Sequence, residues 1–229
     1  ARRRAEAHVQ ALGRLYNFLS QVNQTIVWSA DEDELFERIC RVAIEFGAYR
    51  FAWIMRADDS GTLALRASAG SAVADRAQLV SASSTDAGSV TAAVMRSGKL
   101  CRLSALDGDD AWMPAARAAG CMGYVGLPIR LDDKVVAVLG LIAREVDPED
   151  EDEARLLDEV MMDLSFAVRR LRDDRDRARA EQSARLLAAA LRSTRDGVVV
   201  TDLDGIVVTV NEAFCELNGL DPAATEGCT

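Results

Sequence analysis

Cysteines, a lone histidine and a few paired acids are the residues of this chain that could do nucleophilic, redox or metal chemistry. The five cysteines stand at Cys40, Cys101, Cys121, Cys215 and Cys228. A thiol attacks as its thiolate, and a metal centre needs several ligands at short, characteristic spacings. Here no CxxC occurs and no metal-type spacing appears, and the single histidine, His8, lies in an N-terminal helical stretch. That distance removes a Ser-His-Asp or Cys-His set from the body of the fold. P-loop, HExxH and EF-hand motifs are lacking too. Asp109-Asp110 and Asp132-Asp133 fall in turns, where aspartate is favoured for local hydrogen bonding. The expectation is therefore no catalytic residue and no metal site, with His8 a solvated helix residue and the cysteines small buried hydrophobes.

The totals narrow the function classes further. Hydrophobic residues make up 49% of the 229 positions and charged ones 28%, the balance of a globular chain. A formal net charge of -10 argues against nucleic acid as a partner, because phosphate binding needs a basic surface. The basic runs "ARRR" and "RRLRDDRDRARAEQ" read as solvated helix faces. The longest apolar run, Val135 to Ala143, has nine residues where a membrane span needs about 20. No signal peptide is visible, and the odd cysteine count suits a reducing compartment, so a cytoplasmic location is expected. The chain starts without Met, as an excised piece of a longer protein would.

Two helices are predicted first. One covers about Glu6 to Val27, with Leu12, Leu15, Tyr16, Leu19, Val22 and Ile26 at helical spacing. The second lies in "SADEDELFERICRVAIEFGAY", capped by Ser29 or Asp31 and ended by Gly47; its buried face is Leu35, Phe36, Ile39, Val42, Ala43 and Phe46. The period then changes to that of strands at Tyr49 to Ala57 and Thr62 to Gly70, joined by the turn "DDSG". A softer stretch holds a helix in "DAGSVTAAVMRSGK", a short strand "LCRL", and a loop with a helical turn or two around Trp112 and Pro114. "GYVGLPIRL" and "KVVAVLGLIA" form a hairpin about Asp132-Asp133. A long helix follows, with Asp147 as N-cap and Pro148 as its first residue. The order gives an α+β domain with a mostly antiparallel sheet and helices covering one face.

"RLYNFLSQVNQTIVWSADEDELFERICRVAIEFGAYRFAWIMRAD" and "VGLPIRLDDKVVAVLGLIA" with "DEDEARLLDEVMMDLSFAV" resemble the opening and closing segments of GAF domains in bacterial signalling proteins. "GVVVTD", "DLDG" and "GIVVTVN" resemble the first strands and turn of a PAS domain, with Asn211 capping a helix that Gly219 ends. The organisation that follows is an incoming helix at 1–13, a GAF domain at 14–170, a signalling helix at 171–195 and a truncated PAS start at 196–229. The heptad-like series Leu157, Val160, Leu164, Ala167, Leu171 fades and returns near Leu187 and Leu191, and is read as a marginal coiled coil that pairs two copies.

The resemblance implies a small-molecule pocket between the sheet and the segment ending at Cys121, walled by Trp53, Met55, Cys101, Trp112, Met113, Cys121 and Tyr124. Trp112 stands out because its loop is flanked by Gly and Asp. Marks of particular ligands are missing: Cys121 precedes Met122 where bilin-binding relatives place His, the cyclic-nucleotide signature is untraceable, and His8 lies outside the region that would ligate haem. The ligand or cofactor is thus unknown. The implied function is a non-catalytic sensory module, a homodimer through its helices, relaying a signal to a PAS domain and an output domain of cyclic-di-GMP or histidine kinase type. Two alternatives stay open, a cysteine-dependent methionine sulfoxide reductase using Cys101 and Cys121, and a dimerisation module without ligand.

Overall fold

A computed structural model describes residues 2–58, 62–70 and 89–220. The turn predicted at 58–61, and the stretch 71–88 ahead of the third helix, lie wholly or mostly outside those residues. The chain divides into two compact units, residues 1–172 and 173–229.

In the first unit α1 (Arg2–Trp28) and α2 (Glu32–Glu45) precede β1 (Phe51–Ala57) and β2 (Leu63–Gly70). Then come α3 (Val90–Ser97), β3 (Cys101–Leu103), α4 (Met113–Ala118), β4 (Gly123–Leu131), β5 (Lys134–Ala143) and α5 (Glu151–Ser193). The strands form one antiparallel sheet in the order β2-β1-β5-β4-β3. The predicted hairpin Gly123–Ala143 is present to the residue, and Asp132 takes the positive φ of 54° that its tight turn requires.

Period-2 alternation divides each central strand between two layers. Ala52 and Ile54 of β1 join a core built with α1, α2 and α5, while Phe51, Trp53 and Met55 join a second cluster on the opposite face. Long helices cover one face as expected; the other is closed by α3, α4 and their connections.

Local chemistry sets the helix ends. Asp31 caps α2, accepting from the Glu34 amide at 2.8 Å, and the Glu34 carboxylate accepts from the Ala30 amide in return. Ser29 instead donates to the Thr25 carbonyl at the end of α1. Helix α2 stops at Glu45, before Gly47, and Phe46 is 39% exposed rather than buried. On α1 the buried face is Leu15, Phe18, Leu19, Val22 and Ile26; Tyr16 turns outward.

The predicted start of α5 is corrected. The Arg102 guanidinium of β3 takes the carbonyls of Asp147, Pro148 and Asp150, holding that segment as a turn. Asp150 is the residue that caps, accepting from the Glu153 amide at 3.0 Å. The heptad-like stripe is corrected as well. Leu157, Val160, Leu164, Ala167 and Leu171 are buried in the domain's own core against α1, α2 and the sheet, so they form no free seam.

Helices α1 and α5 run parallel, since His8 meets Asp150 at one end and Arg170 donates to the Ile26 carbonyl at the other. Near that second end, buried Glu32 takes Arg56 of β1 on one oxygen at 3.0 Å and Arg172 of α5 on the other at 3.1 Å. Both guanidiniums keep part of their solvent, and the carboxylate between them is fully paired.

The second unit holds the end of α5, the antiparallel ribbon β6 (Val199–Thr201) and β7 (Val207–Val210), and α6 (Glu212–Asn218). Asp202 closes the ribbon's turn, accepting from the amides of Asp204 and Ile206. Asn211 is the predicted cap of α6, accepting from Phe214, and Gly219 ends the helix with φ 63°. Its amide does more. It also accepts from the Val198 amide and donates to the carbonyls of Leu191 and Asp196 at 3.0 and 2.9 Å. Among the described residues, no helix is long and apolar enough to cross a membrane.

Candidate functional site

The seven residues expected around a pocket lie in one layer. Trp53, Met55, Trp112, Met113, Cys121 and Tyr124 are fully buried in the second cluster, and Cys101 is half-buried at its rim. Pairing register explains the placement. Ser68, Trp53, Gly140, Gly126 and Cys101 form one row across the sheet, so whatever side chains they carry point the same way.

Two facing glycines in that row are the signal that sequence reading missed. A Cβ on Gly140 would sit 2.5 Å from Cζ2 of Trp53 and 2.9 Å from its Nε1. On Gly126 it would sit 2.7 Å from the Tyr124 hydroxyl. A glycine inside a strand marks such a close approach, and here the bare backbone makes room for rings.

The rings fill much of that room themselves. Trp53 and Trp112 meet edge-on with centroids 5.2 Å apart, and Tyr124 lies 5.8 and 5.6 Å from the two. Trp112 therefore has a packing role. It precedes α4, and the Met113 amide bonds the Asp110 carbonyl at 2.9 Å to hold the turn. Asp110 itself is not a simple turn residue: it is buried, and its carboxylate accepts from the Val90 amide at 2.9 Å, twenty positions away, at the start of α3.

Polarity in this layer is sparse and incompletely paired. The Tyr124 hydroxyl is buried with no hydrogen bond formed, although Thr91 approaches it; outside the layer, at the start of α3, the Ser89 hydroxyl is buried and unpaired as well. A buried polar atom left unpaired costs about 1–3 kcal/mol, which is why such atoms point to water or a ligand. Burial pushes the Tyr124 phenol well above its ordinary pKa. It pushes the Cys101 thiol up as well. Cys40 lies in the other core, on α2, where burial and the Glu37 charge keep it protonated.

His8 is corrected from a purely solvated residue to a paired one. Its Nδ1 is 3.0 Å from Asp150 Oδ2 and its Nε2 is 3.9 Å from Asp152 Oδ2. The three side chains bring ligand-type atoms within 4.8 Å of one another, a grouping that could hold a metal ion. More than 140 residues separate His8 from the two aspartates in sequence, so no spacing could reveal it. Beside them a groove of about 840 Å³ runs between α1 and α5, lined by Leu12, Gly13, Tyr16, Arg155 and Leu156 among others.

Comparison with known proteins fits this architecture. No curated protein sequence matches the chain. The fold is similar to that of the free methionine-R-sulfoxide reductase from Neisseria meningitidis, solved with its substrate (16% identity, 70% of this chain and 91% of that one, TM-score 0.55). It is similar also to the A. aeolicus nlh2 GAF domain in an inactive state (12%, 71% and 97%, TM-score 0.51). A third is the GAF domain of a phosphoenolpyruvate-protein phosphotransferase from Coxiella burnetii (15%, 76% and 98%, TM-score 0.50). At these identities the likeness concerns fold alone. The PAS fold matches residues 185–227, and a GAF domain followed by a PAS fold makes a sensory or regulatory module. The GAF domain family matches residues 29–169, more than half of the sequence, and the chain belongs to that family.

Proposed function

We propose that this chain is a non-catalytic sensory relay, in which the state of the aromatic layer is passed along α5 to the PAS segment and an output domain. The observation that carries this reading is the single helix Glu151–Ser193. Its first half is built into the GAF core through Leu157, Val160, Leu164, Ala167 and Leu171, and it continues without a break into the residues matched as PAS. A rearrangement in the core has one continuous element through which to act. The signal is a small molecule taken between the sheet and α4, against Trp53, Met55, Cys101, Trp112, Met113, Cys121 and Tyr124; the unpaired hydroxyl of Tyr124 supports a polar group there. The relay works as a homodimer through its helices and serves a cyclic-di-GMP or histidine kinase output.

Native mass spectrometry of the freshly purified chain beside its denatured mass tests the ligand. Extra mass that vanishes on denaturation supports it. Hydrogen exchange of residues 173–193 in Tyr124→Phe tests the relay, because that change removes only a hydroxyl from the layer. Exchange identical to wild type would count against transmission.

A second reading, a relay with no ligand, is favoured by the direct contact of the three rings. Bare chains in the native spectrum would select it. Methionine sulfoxide reduction has weaker support, since it needs thiolates where burial holds Cys101 protonated and places Cys40 on the other face. A thiol-dependent turnover of free methionine sulfoxide, lost on Cys121→Ser, would establish it.

A further inference from the structure

We propose that His8 of α1, with Asp150 and Asp152 at the start of α5, binds a divalent transition ion of the zinc class, an inference independent of the relay reading above. Each aspartate turns one oxygen to the imidazole and has the other committed elsewhere. Asp150 uses Oδ1 to cap α5, taking the Glu153 amide at 3.0 Å, and its Oδ2 lies 3.0 Å from His8 Nδ1. Asp152 has Oδ1 3.8 Å from Arg155, and its Oδ2 lies 3.9 Å from His8 Nε2. A neutral imidazole carries a single N–H, so it can donate to one of these carboxylates and not to both. The arrangement therefore calls for a cation, either a proton on the ring or a metal ion shared by the three side chains.

Geometry and charge favour the metal. One nitrogen of His8 and one oxygen from each aspartate already lie within 4.8 Å of one another. Bonds of roughly 2.0–2.2 Å to a common ion would draw such donors to about 3–3.5 Å apart. The His8 side chain is 44% exposed and that of Asp152 58%, so both can turn to close the gap. Asp150 is the fixed point, because its carboxylate is tied to the helix cap and Arg102 of β3 holds its carbonyl at 2.7 Å. Residues 147–153 carry six carboxylates in seven positions, which outweighs Arg102, Arg155 and the positive end of the helix. Nitrogen beside oxygen selects the ion. Magnesium and calcium take shells of oxygen, whereas imidazole suits zinc and its neighbours. Three protein donors leave a position for water. An ion so held joins α1 to the first turn of α5, which no covalent or sheet connection does.

Calorimetric titration of zinc chloride into the tag-free 229-residue chain tests this. One zinc per chain is expected, bound at least about tenfold more weakly by His8→Ala and by Asp152→Asn. Both changes fall on exposed side chains outside the core, so the variants should fold. Magnesium at the same concentration should not compete. Zinc should raise the melting temperature of wild type, with the shift lost in His8→Ala, and should slow hydrogen exchange both around His8 and at residues 151–155. Cobalt separates this site from the five cysteines. Nitrogen and oxygen donors give it only weak visible bands, whereas a thiolate adds an intense near-ultraviolet charge-transfer band. No binding, binding unchanged in both variants, or a thiolate band would each overturn the proposal. A proton on His8 in place of an ion predicts the first of these. Zinc that binds without protecting α1 would overturn it too, because the site would not then span the two helices.

Discussion

Trp53 lies directly over Gly140, its partner in the β1–β5 ladder, with no space between the indole and the glycine for even one methyl group. Gly140→Ala should therefore push the ring off its seat and disturb its contacts with Trp112 and Tyr124. Overpacking of this kind costs about 1–3 kcal/mol. A lower denaturant midpoint together with altered near-ultraviolet dichroism is the expected result, and an unchanged near-ultraviolet spectrum would show the rings to be less tightly seated.

Glu32 joins a strand and two helices through one carboxylate. Glu32→Ala should leave Arg56 and Arg172 without their shared anion, at a cost of about 3 kcal/mol. Replacing either arginine alone should cost less, because the carboxylate keeps its other partner. Double-mutant cycles between positions 56 and 172 would measure that sharing through Glu32. Strict additivity of the two single changes would contradict it.

Glu153 is held above its ordinary pKa, chiefly by burial and also by Asp150 and Asp147, with Arg102 and His8 opposing. The folded state thus binds its proton more readily than the unfolded chain does. Its contribution to stability is full below the ordinary carboxylate pKa and is lost as pH rises through the elevated folded value. Glu153→Gln should accordingly be more stable than wild type at neutral pH, with the advantage shrinking on acidification. Thermal melts of both chains from weakly acidic to neutral pH would reveal the trend, and an advantage constant with pH would assign it to something other than titration.

Asn211 uses both faces of its amide to hold Leu191, Asp196, Val198 and Phe214. Asn211→Asp keeps the two acceptor bonds and loses the two donor bonds. Faster exchange should appear at the last turn of α5, with the ribbon Val199–Val210 less affected; Asn211→Ala should loosen both. Wild-type protection of the last turn of α5 in Asn211→Asp would mean that the donor bonds hold nothing, and equal exchange of the ribbon in the two variants would mean the same of the acceptor bonds.

Much of this fold is legible in local sequence. The hairpin Gly123–Ala143 announces itself by alternation and a two-residue turn, and α2 by Asp31 and Glu34. What escapes is whatever a distant residue decides. Arg102 delays the start of α5, Asp110 reaches Val90 rather than its own turn, and His8 finds Asp150 only after folding. Likewise, helical spacing identifies the stripe from Leu157 to Leu171 and is silent on whether its partner is the same chain or another. For the candidate site, the period of a strand puts Trp53 and Met55 on one side, and their sharing of a layer with Trp112 and Tyr124 follows the family's arrangement. That the rings would touch depends on Gly126 and Gly140, which look unremarkable in a run of valines and leucines.

Those two glycines have a mechanical consequence. Where they face each other the floor under the rings is main chain, pinned by ladder bonds on both sides and without rotamers to change. Stiffness is therefore unevenly shared: the sheet side of the layer cannot yield, whereas Trp112, Met113 and the short α4 that carries Met113 are held by a few turn bonds. Anything that widens the layer must therefore displace α3, α4 or their connections rather than the sheet.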